Sequence, residues 1–192
     1  VELVVVSGQH FPTYRPAYRN IYYTDRKMGG GAIQDALTHL VNAGEWLLGP
    51  IHRLIADAEH LVLEGVTVED TVHLLARHGN ILASYALNQH QAPNETTITV
   101  LGDRGTLRAE MHSMRLLKMH QPGGEWEITT WPILERDTLF LAQANAFLDA
   151  IVGKSIFPCL LVEGVQTLRV NLAALHSLET QSWQTIPDTI TS

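Results

Sequence analysis

A glycine-rich turn leads straight into a helical pattern at residues 29–48. Three consecutive glycines permit a positive φ and let another backbone or a ligand approach closely. From Ile33 onward the apolar residues follow helical spacing, and at about 100° per residue they occupy one arc of the helix. The sequence therefore predicts a helix from Ile33 to about Leu48 with one buried side. That side comprises Ile33, Ala36, Leu37, Leu40, Val41, Gly44, Leu47 and Leu48.

The opposite side of the same helix carries Asp35, His39, Asn42 and Trp46. Asp35 and His39 are four residues apart, which in an α-helix places their Cβ atoms about 6 Å from each other. A carboxylate and an imidazole beside a turn that permits close approach indicate acid–base chemistry. A structural interpretation stays open, because the helix dipole alone favours an Asp near the N-terminus and a solvated histidine needs no function.

The segment that precedes the glycines, residues 9–28, has no periodicity and contains two prolines, four tyrosines and several arginines. We expect an irregular loop, and a loop of about 20 residues inside a compact domain is more often functional than not. Aromatic faces and guanidinium forks suit a polyol, sugar or carboxylate ligand. The alternative is that the loop packs on the domain surface with its tyrosines partly buried.

The rest of the chain reads as many strands followed by two helices. Short turns such as Gly79–Asn80 separate the strands, which is typical of a meandering antiparallel sheet. The fold class is therefore α+β, and three helices on one face of the sheet would leave its other face to water or a partner. The expected strands are 2–8, 51–62, 71–78, 81–89, 96–100, 106–111, 116–119, 126–131 and 181–186, and the two later helices are 139–153 and 162–180.

Composition and charge exclude several classes of function. The formal net charge of −7 and the lack of a Lys/Arg cluster argue against a nucleic-acid surface. No apolar run approaches a membrane span, so we expect no membrane association. Cys159 is the single cysteine, which fits a reducing, cytoplasmic compartment. The chain begins with Val1 and not Met, and we expect it to be a piece of a longer protein.

Several catalytic motifs are absent from the sequence. There is no Gly-x-Gly-x-x-Gly turn between a strand and a helix, and Gly102 and Gly105 flank a hairpin. A Gly-x-Ser-x-Gly elbow, a P-loop and zinc-type spacings are also missing. The ten histidines show no metal-ligand spacing, so we expect no metal site.

The pattern Gly29-Gly30-Gly31-x-x-x-Asp35-x-x-x-His39, after a Pro/Tyr/Arg loop, resembles the Gfo/Idh/MocA family (glucose–fructose oxidoreductase / inositol dehydrogenase). The hairpin at 98–107 and the helix pattern at 163–177 resemble the same family, so the resemblance covers most of the chain. It implies one substrate-binding and oligomerisation domain over residues 1–192, the second domain of a two-domain dehydrogenase. Its fold would be an open, largely antiparallel or mixed sheet with helices on one face. The Rossmann domain of such a dehydrogenase would lie outside this chain.

The resemblance also implies roles for individual residues. His39 would be the general acid/base, and Asp35 would orient His39 or the substrate hydroxyl. Many family members carry an acid where this chain has Asn42, which leaves one substrate contact uncharged. NAD or NADP would be held mainly by the absent N-terminal domain. Further substrate contacts are expected at Tyr14, Arg15, Arg19 and Asn42, and cofactor contacts at Gly30 and Gly31.

The leading hypothesis is the substrate-binding domain of an NAD(P)-dependent oxidoreductase that acts on a sugar, polyol or similar hydroxy compound. Its exposed sheet face would form a homo-oligomer, and the chain alone would be inactive. Two alternatives stay open. One is a non-catalytic interaction module, in which Asp35 and His39 have no chemical role. The other is a metal-dependent hydrolase with both residues as ligands, although the sequence places no further ligands.

Overall fold

A computed structural model describes residues 1–187, and its strands form one mixed sheet of nine strands. In chain order the strands are β1 (Glu2–Gly8), β2 (Arg53–Glu59), β3 (Thr71–His78), β4 (Ile81–Asn88), β5 (Glu95–Gly102), β6 (Gly105–Glu110), β7 (Arg115–Met119), β8 (Glu127–Thr130) and β9 (Gln184–Thr185). Their order across the sheet is β8-β7-β6-β5-β1-β4-β3-β2-β9.

The first strand lies at the centre of the sheet. It pairs with β4 in parallel and with β5 antiparallel, so that Val5 is opposite both Tyr85 and Ile98. The other described pairs are antiparallel. Because side chains alternate along a strand, Val5 is buried under the helices, whereas Val6 points to the other face and is 45% exposed.

Four α-helices accompany the sheet: α1 (Phe11–Tyr14), α2 (Thr38–Leu48), α3 (Thr138–Ile151) and α4 (Leu161–Thr180). Helices α2 and α4 pack side by side and cover one face of the sheet. The predicted α+β class, with an open mixed sheet and helices on one face, is confirmed. The buried residues at the centre of this core are Leu3, Val5, Ile33, Leu37, Val41, Leu54, Val72, Leu74, Tyr85, Val170 and Ala174.

The position of α3 corrects one expectation. A helix forms close to the predicted 139–153, but it has no buried residue and does not cover the sheet. Its large apolar side chains remain exposed, with Phe140 at 68% and Leu148 at 57%. Only α2 and α4 cover the sheet, where the sequence had suggested three helices. Among residues 1–187, no helix is both long and apolar enough to cross a membrane.

The second strand is shorter than the predicted 51–62 because a buried carboxylate bends the chain after Glu59. Asp70 is completely buried and accepts hydrogen bonds from the backbone N–H groups of Leu61, Val62 and Leu63. These donors are lost to the sheet. Burial pushes the pKa of Asp70 upward, but the three N–H donors outweigh it and hold the pKa below its usual range.

The segment 9–28 folds into short helical turns, where the sequence predicted an irregular loop. After α1, three 3₁₀ turns span Pro16–Asn20, Tyr22–Thr24 and Arg26–Met28. Tyr18 and Tyr23 are buried in a second small apolar core, whereas Tyr14 and Tyr22 remain exposed. The segment is therefore an ordered wall, with two tyrosines used for packing. The residues of this second core are Phe11, Tyr18, Tyr23, Leu63, Val66 and Val68.

Candidate active site

The glycine turn is required by close packing against the rest of the domain. Gly29 and Gly31 have φ values of +89° and +91°. A Cβ on Gly30 would lie 2.2 Å from the carbonyl oxygen of Tyr23, and one on Gly31 would lie 2.4 Å from the carboxylate of Glu69. Gly30 and Gly31 are both buried. Their predicted contact with a cofactor stays a prediction, and packing alone explains why they are glycines.

The helix that follows starts with a π turn. Residues Ile33–Leu37 have π geometry, and α2 continues from Thr38. The carboxylate of Glu69 accepts a hydrogen bond from the backbone N–H of Ile33 at 3.2 Å and so caps this start. A π turn is rare and often occurs at functional sites. Here it contains Asp35.

Asp35 is held by the preceding segment and not by His39. Nη1 of Arg15 donates to its Oδ2 at 2.6 Å, and the hydroxyl of Tyr22 donates to its Oδ1 at 2.6 Å. Nη2 of Arg15 also donates to the hydroxyl of Tyr22 at 2.9 Å, which closes a ring of three side chains. Both carboxylate oxygens are therefore engaged. Within residues 1–187 no hydrogen bond joins Asp35 to His39, and the role of Asp35 in orienting His39 or the substrate hydroxyl stays a prediction.

The electrostatics of this ring favour a fixed ion pair. The side chain of Asp35 is 3% exposed, and that of Arg15 is 34% exposed. Burial alone would lower the pKa of Arg15, but its hydrogen bonds to Tyr22 and Asp35 outweigh burial and raise that pKa. The guanidinium also lies 5.4 Å from the ring centre of Phe11. The hydrogen bonds among Arg15, Tyr22 and Asp35 thus hold the 9–28 segment against the start of the helix.

His39 lies in a separate open cleft between α2 and α4, with a volume of about 390 Å³. Its imidazole is exposed and forms no hydrogen bond or ion pair with residues 1–187. No Asp, Glu, Lys or Arg among the described residues lines this cleft. The hydrogen-bonding side chains in its wall are Gln34, Thr38, His39, Asn42, Thr167 and Asn171. Gly29, Gly164 and Leu168 complete the wall.

Asn42 links the two helices at one side of the cleft. Its Nδ2 donates to Oγ1 of Thr167 at 3.2 Å, and that hydroxyl donates in turn to the carboxylate of Glu45 at 2.8 Å. The predicted substrate contact at Asn42 therefore lies in the wall of the cleft, on the same helix as His39 and one turn further along. It presents a neutral amide where an acid would have introduced a charge.

The other predicted substrate contacts lie elsewhere. Arg15 donates hydrogen bonds to Asp35 and Tyr22. Tyr14 is 54% exposed at the end of α1 and does not line the cleft of His39. Arg19 turns away toward residue 64, since its guanidinium donates to the hydroxyl of Tyr18 at 3.0 Å and to Glu64 at 3.2 Å. Direct contacts of Tyr14, Arg15 and Arg19 with substrate stay predictions.

Sequence reasoning missed Tyr22 and the contribution of α4. Thr167 and Asn171 are each 6% exposed although both are polar. They stand four residues apart on a stripe that continues toward the buried Ala174. Polar residues on an otherwise apolar helix stripe are a recognisable signal, because burial of an amide or hydroxyl is costly unless it is paired.

The glycine turn lacks the surroundings of a dinucleotide pyrophosphate site. A dinucleotide needs a glycine turn between a strand and a helix, with free backbone N–H groups. The turn at Gly29–Gly31 follows a 3₁₀ turn, and its glycines are packed on Tyr23 and Glu69. In the described part of the chain, no group of three or more His, Cys, Asp or Glu residues could hold a metal.

Comparison with protein families gives one match. Residues 2–108 match the model of the GFO/IDH/MocA C-terminal domain, which is more than half of the 192 residues. No curated protein sequence matches the chain.

Several solved structures have the same fold. Levoglucosan dehydrogenase in complex with NADH superposes with a TM-score of 0.84 at 18% identity, covering 98% of this chain and 59% of that one. An oxidoreductase domain protein from Kribbella flavida gives 0.82 at 21% identity, covering 97% and 58%. An NAD binding oxidoreductase from Klebsiella pneumoniae gives 0.83 at 16% identity, covering 98% and 59%. The chain therefore spans about three-fifths of the length of these structures, and the likeness is one of fold.

Proposed function

The chain belongs to the GFO/IDH/MocA C-terminal domain family, and on that premise we propose that it is the substrate-binding domain of a nicotinamide-dependent oxidoreductase. The substrate is a neutral sugar, polyol or similar hydroxy compound. The nicotinamide cofactor, NAD or NADP, is held mainly by another part of the protein. The domain comprises residues 1–192, of which 188–192 lie outside the described residues.

The single observation that carries this proposal is the exposed, unpartnered imidazole of His39 in a cleft of neutral hydrogen-bonding side chains. When a hydroxyl-bearing carbon is oxidised, its oxygen loses a proton, and in the reverse reaction it gains one. Histidine exchanges protons near neutral pH and is the commonest side chain in this role. His39 is free to accept this proton because no described residue occupies its ring nitrogens.

The lining of the cleft supports the choice of a neutral hydroxy compound. Amide and hydroxyl side chains can both donate and accept, as the hydroxyls of a sugar do. The described lining contains no Lys or Arg that would hold a carboxylate or phosphate. Among the structural relatives, levoglucosan dehydrogenase has been solved with NADH and levoglucosan and with NADH and L-sorbose.

The ring of Arg15, Tyr22 and Asp35 is the support of the site in this proposal. It fixes the start of the helix that presents His39, because Asp35 lies in the π turn immediately before α2. Pre-positioning of a catalytic group by a rigid shell is a general requirement of efficient sites. Asp35 thus acts through position and need not exchange a proton itself.

Two exposed apolar surfaces support a larger assembly. The open sheet face carries Val6, Leu75 and Leu82 at 45%, 53% and 50% exposure, and we assign it to contact with a second copy of the chain. Helix α3 exposes Phe140 and Leu148. We assign this second surface to contact with the remaining part of the protein. An interaction module without catalysis would use the same two surfaces but would have no need of His39.

The test uses the protein that contains this chain together with its nucleotide-binding part. Turnover of neutral sugars and polyols is measured with NAD and with NADP. The His39→Asn variant is expected to lower kcat/KM by about 10²–10⁴-fold. The matched control is His176→Asn, an exposed histidine on α4 outside the cleft, which pairs only with Glu179. Near-normal turnover of His39→Asn, or no turnover with either cofactor, would overturn the proposal.

A further inference from the structure

One buried acceptor in the wall of the His39 cleft has no partner. Asn171 lies on α4 with 6% of its surface exposed. Its Nδ2 donates to Oγ1 of Thr38 at 2.8 Å, across the groove between α4 and α2. Its Oδ1 is buried and forms no hydrogen bond within residues 1–187. This is unusual, because the large majority of buried side-chain polar atoms are hydrogen-bonded.

The neighbouring polar residue on the same helix shows the contrast. Thr167 is equally buried, but its hydroxyl both donates to Glu45 and accepts from Asn42. The packing of α2 on α4 therefore satisfies Thr167 completely and leaves only the carbonyl oxygen of Asn171. The contact between the helices satisfies Nδ2 of Asn171 but gives its Oδ1 no donor within residues 1–187.

We propose that Oδ1 of Asn171 accepts a hydrogen bond from a hydroxyl of a neutral polyhydroxy ligand bound in the cleft beside His39. This inference rests on the proposed function for the reaction that the ligand undergoes. A carbonyl oxygen can only accept, so the ligand must bring a donor, which a sugar or polyol does. A carboxylate or phosphate at this point would place acceptor against acceptor and would be rejected. Asn171 is thus a specificity-determining residue.

The shape of the cleft allows such a ligand. A volume of about 390 Å³ is in the range of small-molecule sites. Gly164 lies two turns before Asn171 on the same side of α4, and a Cβ there would meet no atom within 4 Å. This end of the cleft is therefore open, and a small polyol bound there would lie beside Asn171.

The experiment measures binding to the chain itself, so that it does not depend on turnover. The ¹⁵N-labelled protein is titrated with D-sorbitol, with myo-inositol and with glutarate, a dicarboxylate that carries no hydroxyl. At least one neutral polyol is expected to shift the side-chain amide of Asn171 and the backbone amide of His39. Glutarate at the same concentration is expected to shift neither.

Three variants separate ligand binding from folding. Asn171→Leu keeps the size of the side chain, removes the acceptor and is expected to weaken polyol binding about tenfold or more. Asn171→Asp retains an acceptor and is expected to bind the polyol within about tenfold of wild type. Leu172→Asn changes the next residue, which is 53% exposed on α4, and is expected to bind as wild type does. If Asn171→Leu does not fold, Asn171→Ala, which removes the same acceptor without adding bulk, takes its place with the same expected loss of polyol binding.

The outcomes are distinct from those of the activity assay. Equal shifts with glutarate and polyol, polyol binding that is unaffected by Asn171→Leu, or no shift with either polyol would overturn the role of Asn171. Loss of turnover in His39→Asn would still support the proposed oxidoreductase in that case. Polyol binding at Asn171 without any turnover would instead overturn the proposed reaction and leave the contact in place.

Discussion

Nη1 of Arg15 donates to Oδ2 of Asp35 at 2.6 Å, and this contact joins two segments that are 20 residues apart in the chain. It attaches the tyrosine-rich segment 9–28 to the π turn that precedes α2. The carboxylate is almost inaccessible, whereas the guanidinium is about one-third exposed. Removal of the cation from such an ion pair is costly, because it leaves a buried carboxylate without its partner.

Removal of Arg15 is therefore expected to destabilise the domain. We expect Arg15→Ala to lower the free energy of unfolding by about 1–3 kcal/mol, a range reduced from that of fully buried pairs because water screens Arg15. Chemical denaturation followed by circular dichroism measures it. Arg19→Ala is the control, since its partner Glu64 is 85% exposed, and it should lower the free energy of unfolding clearly less than Arg15→Ala does. An additional Asp35→Asn change should recover part of the loss in Arg15→Ala, and a larger loss in the double variant would contradict the ion pair.

The two glycines with positive φ at 29 and 31 make a matched pair. Gly29→Ala should cost about 1–2 kcal/mol for the left-handed backbone alone, because a Cβ there meets nothing within 4 Å. Gly31→Ala should cost clearly more, since its Cβ would lie 2.4 Å from Oε1 of Glu69. Glu69 cannot retreat easily, being held by Arg26 at 2.6 Å and by the N–H of Ile33. Equal unfolding free energies for the two variants would show that Glu69 yields freely.

A glycine within α2 allows the helix to approach the sheet. A Cβ on Gly44 would lie 2.0 Å from the hydroxyl of Tyr85. We expect Gly44→Ala to destabilise by about 2 kcal/mol or more, although alanine favours helix. Its penalty should shrink in a Tyr85→Phe background, where the obstructing hydroxyl is gone. Gly164→Ala on α4, with open space around it, should instead gain about 0.5–1 kcal/mol. Thermal unfolding of the wild type and of the four variants, Tyr85→Phe alone included, provides the comparison.

The buried His78 predicts a dependence of stability on pH. Its Nδ1 donates to the carbonyl of Gly49 at 2.6 Å, and Nε2 accepts from the hydroxyl of Tyr85 at 2.8 Å. Burial lowers the pKa of His78, and the bond to Gly49 offsets this only in part. The unfolded chain therefore binds more protons than the folded chain below about pH 6.5, so stability falls as the pH falls through that region.

The measurement compares the free energy of unfolding of wild type and His78→Gln from about pH 7 to about pH 5. The glutamine retains a donor and an acceptor but does not titrate. We expect the stability of wild type to decline more steeply with falling pH. Parallel curves would mean that His78 does not contribute to the dependence.

Local periodicity in the sequence was sufficient for most of the elements. The turn at Gly79–Asn80 between the apolar-rich segments 71–78 and 81–89 predicted β3 and β4, and the helical arc after Ile33 predicted α2. Residues 116–119 and 162–180 likewise match β7 and α4 within one residue. Such patterns are legible because each element must bury one face, and the spacing of that face is fixed by backbone geometry alone.

Tertiary structure decided which residues meet. The pairing of Asp35 with Arg15, the exposure of α3 and the unpartnered oxygen of Asn171 depend on how distant segments pack. The apolar pattern does not predict the π turn either. A single wider turn shifts the directions of the side chains that follow it but leaves no mark on the amino-acid composition. The sequence by itself thus determined the elements and the helix that carries His39. Only the three-dimensional packing decided that Asp35 accepts a hydrogen bond from Arg15 and that Oδ1 of Asn171 has no donor among residues 1–187, since hydrogen bonds form between groups that are close in space.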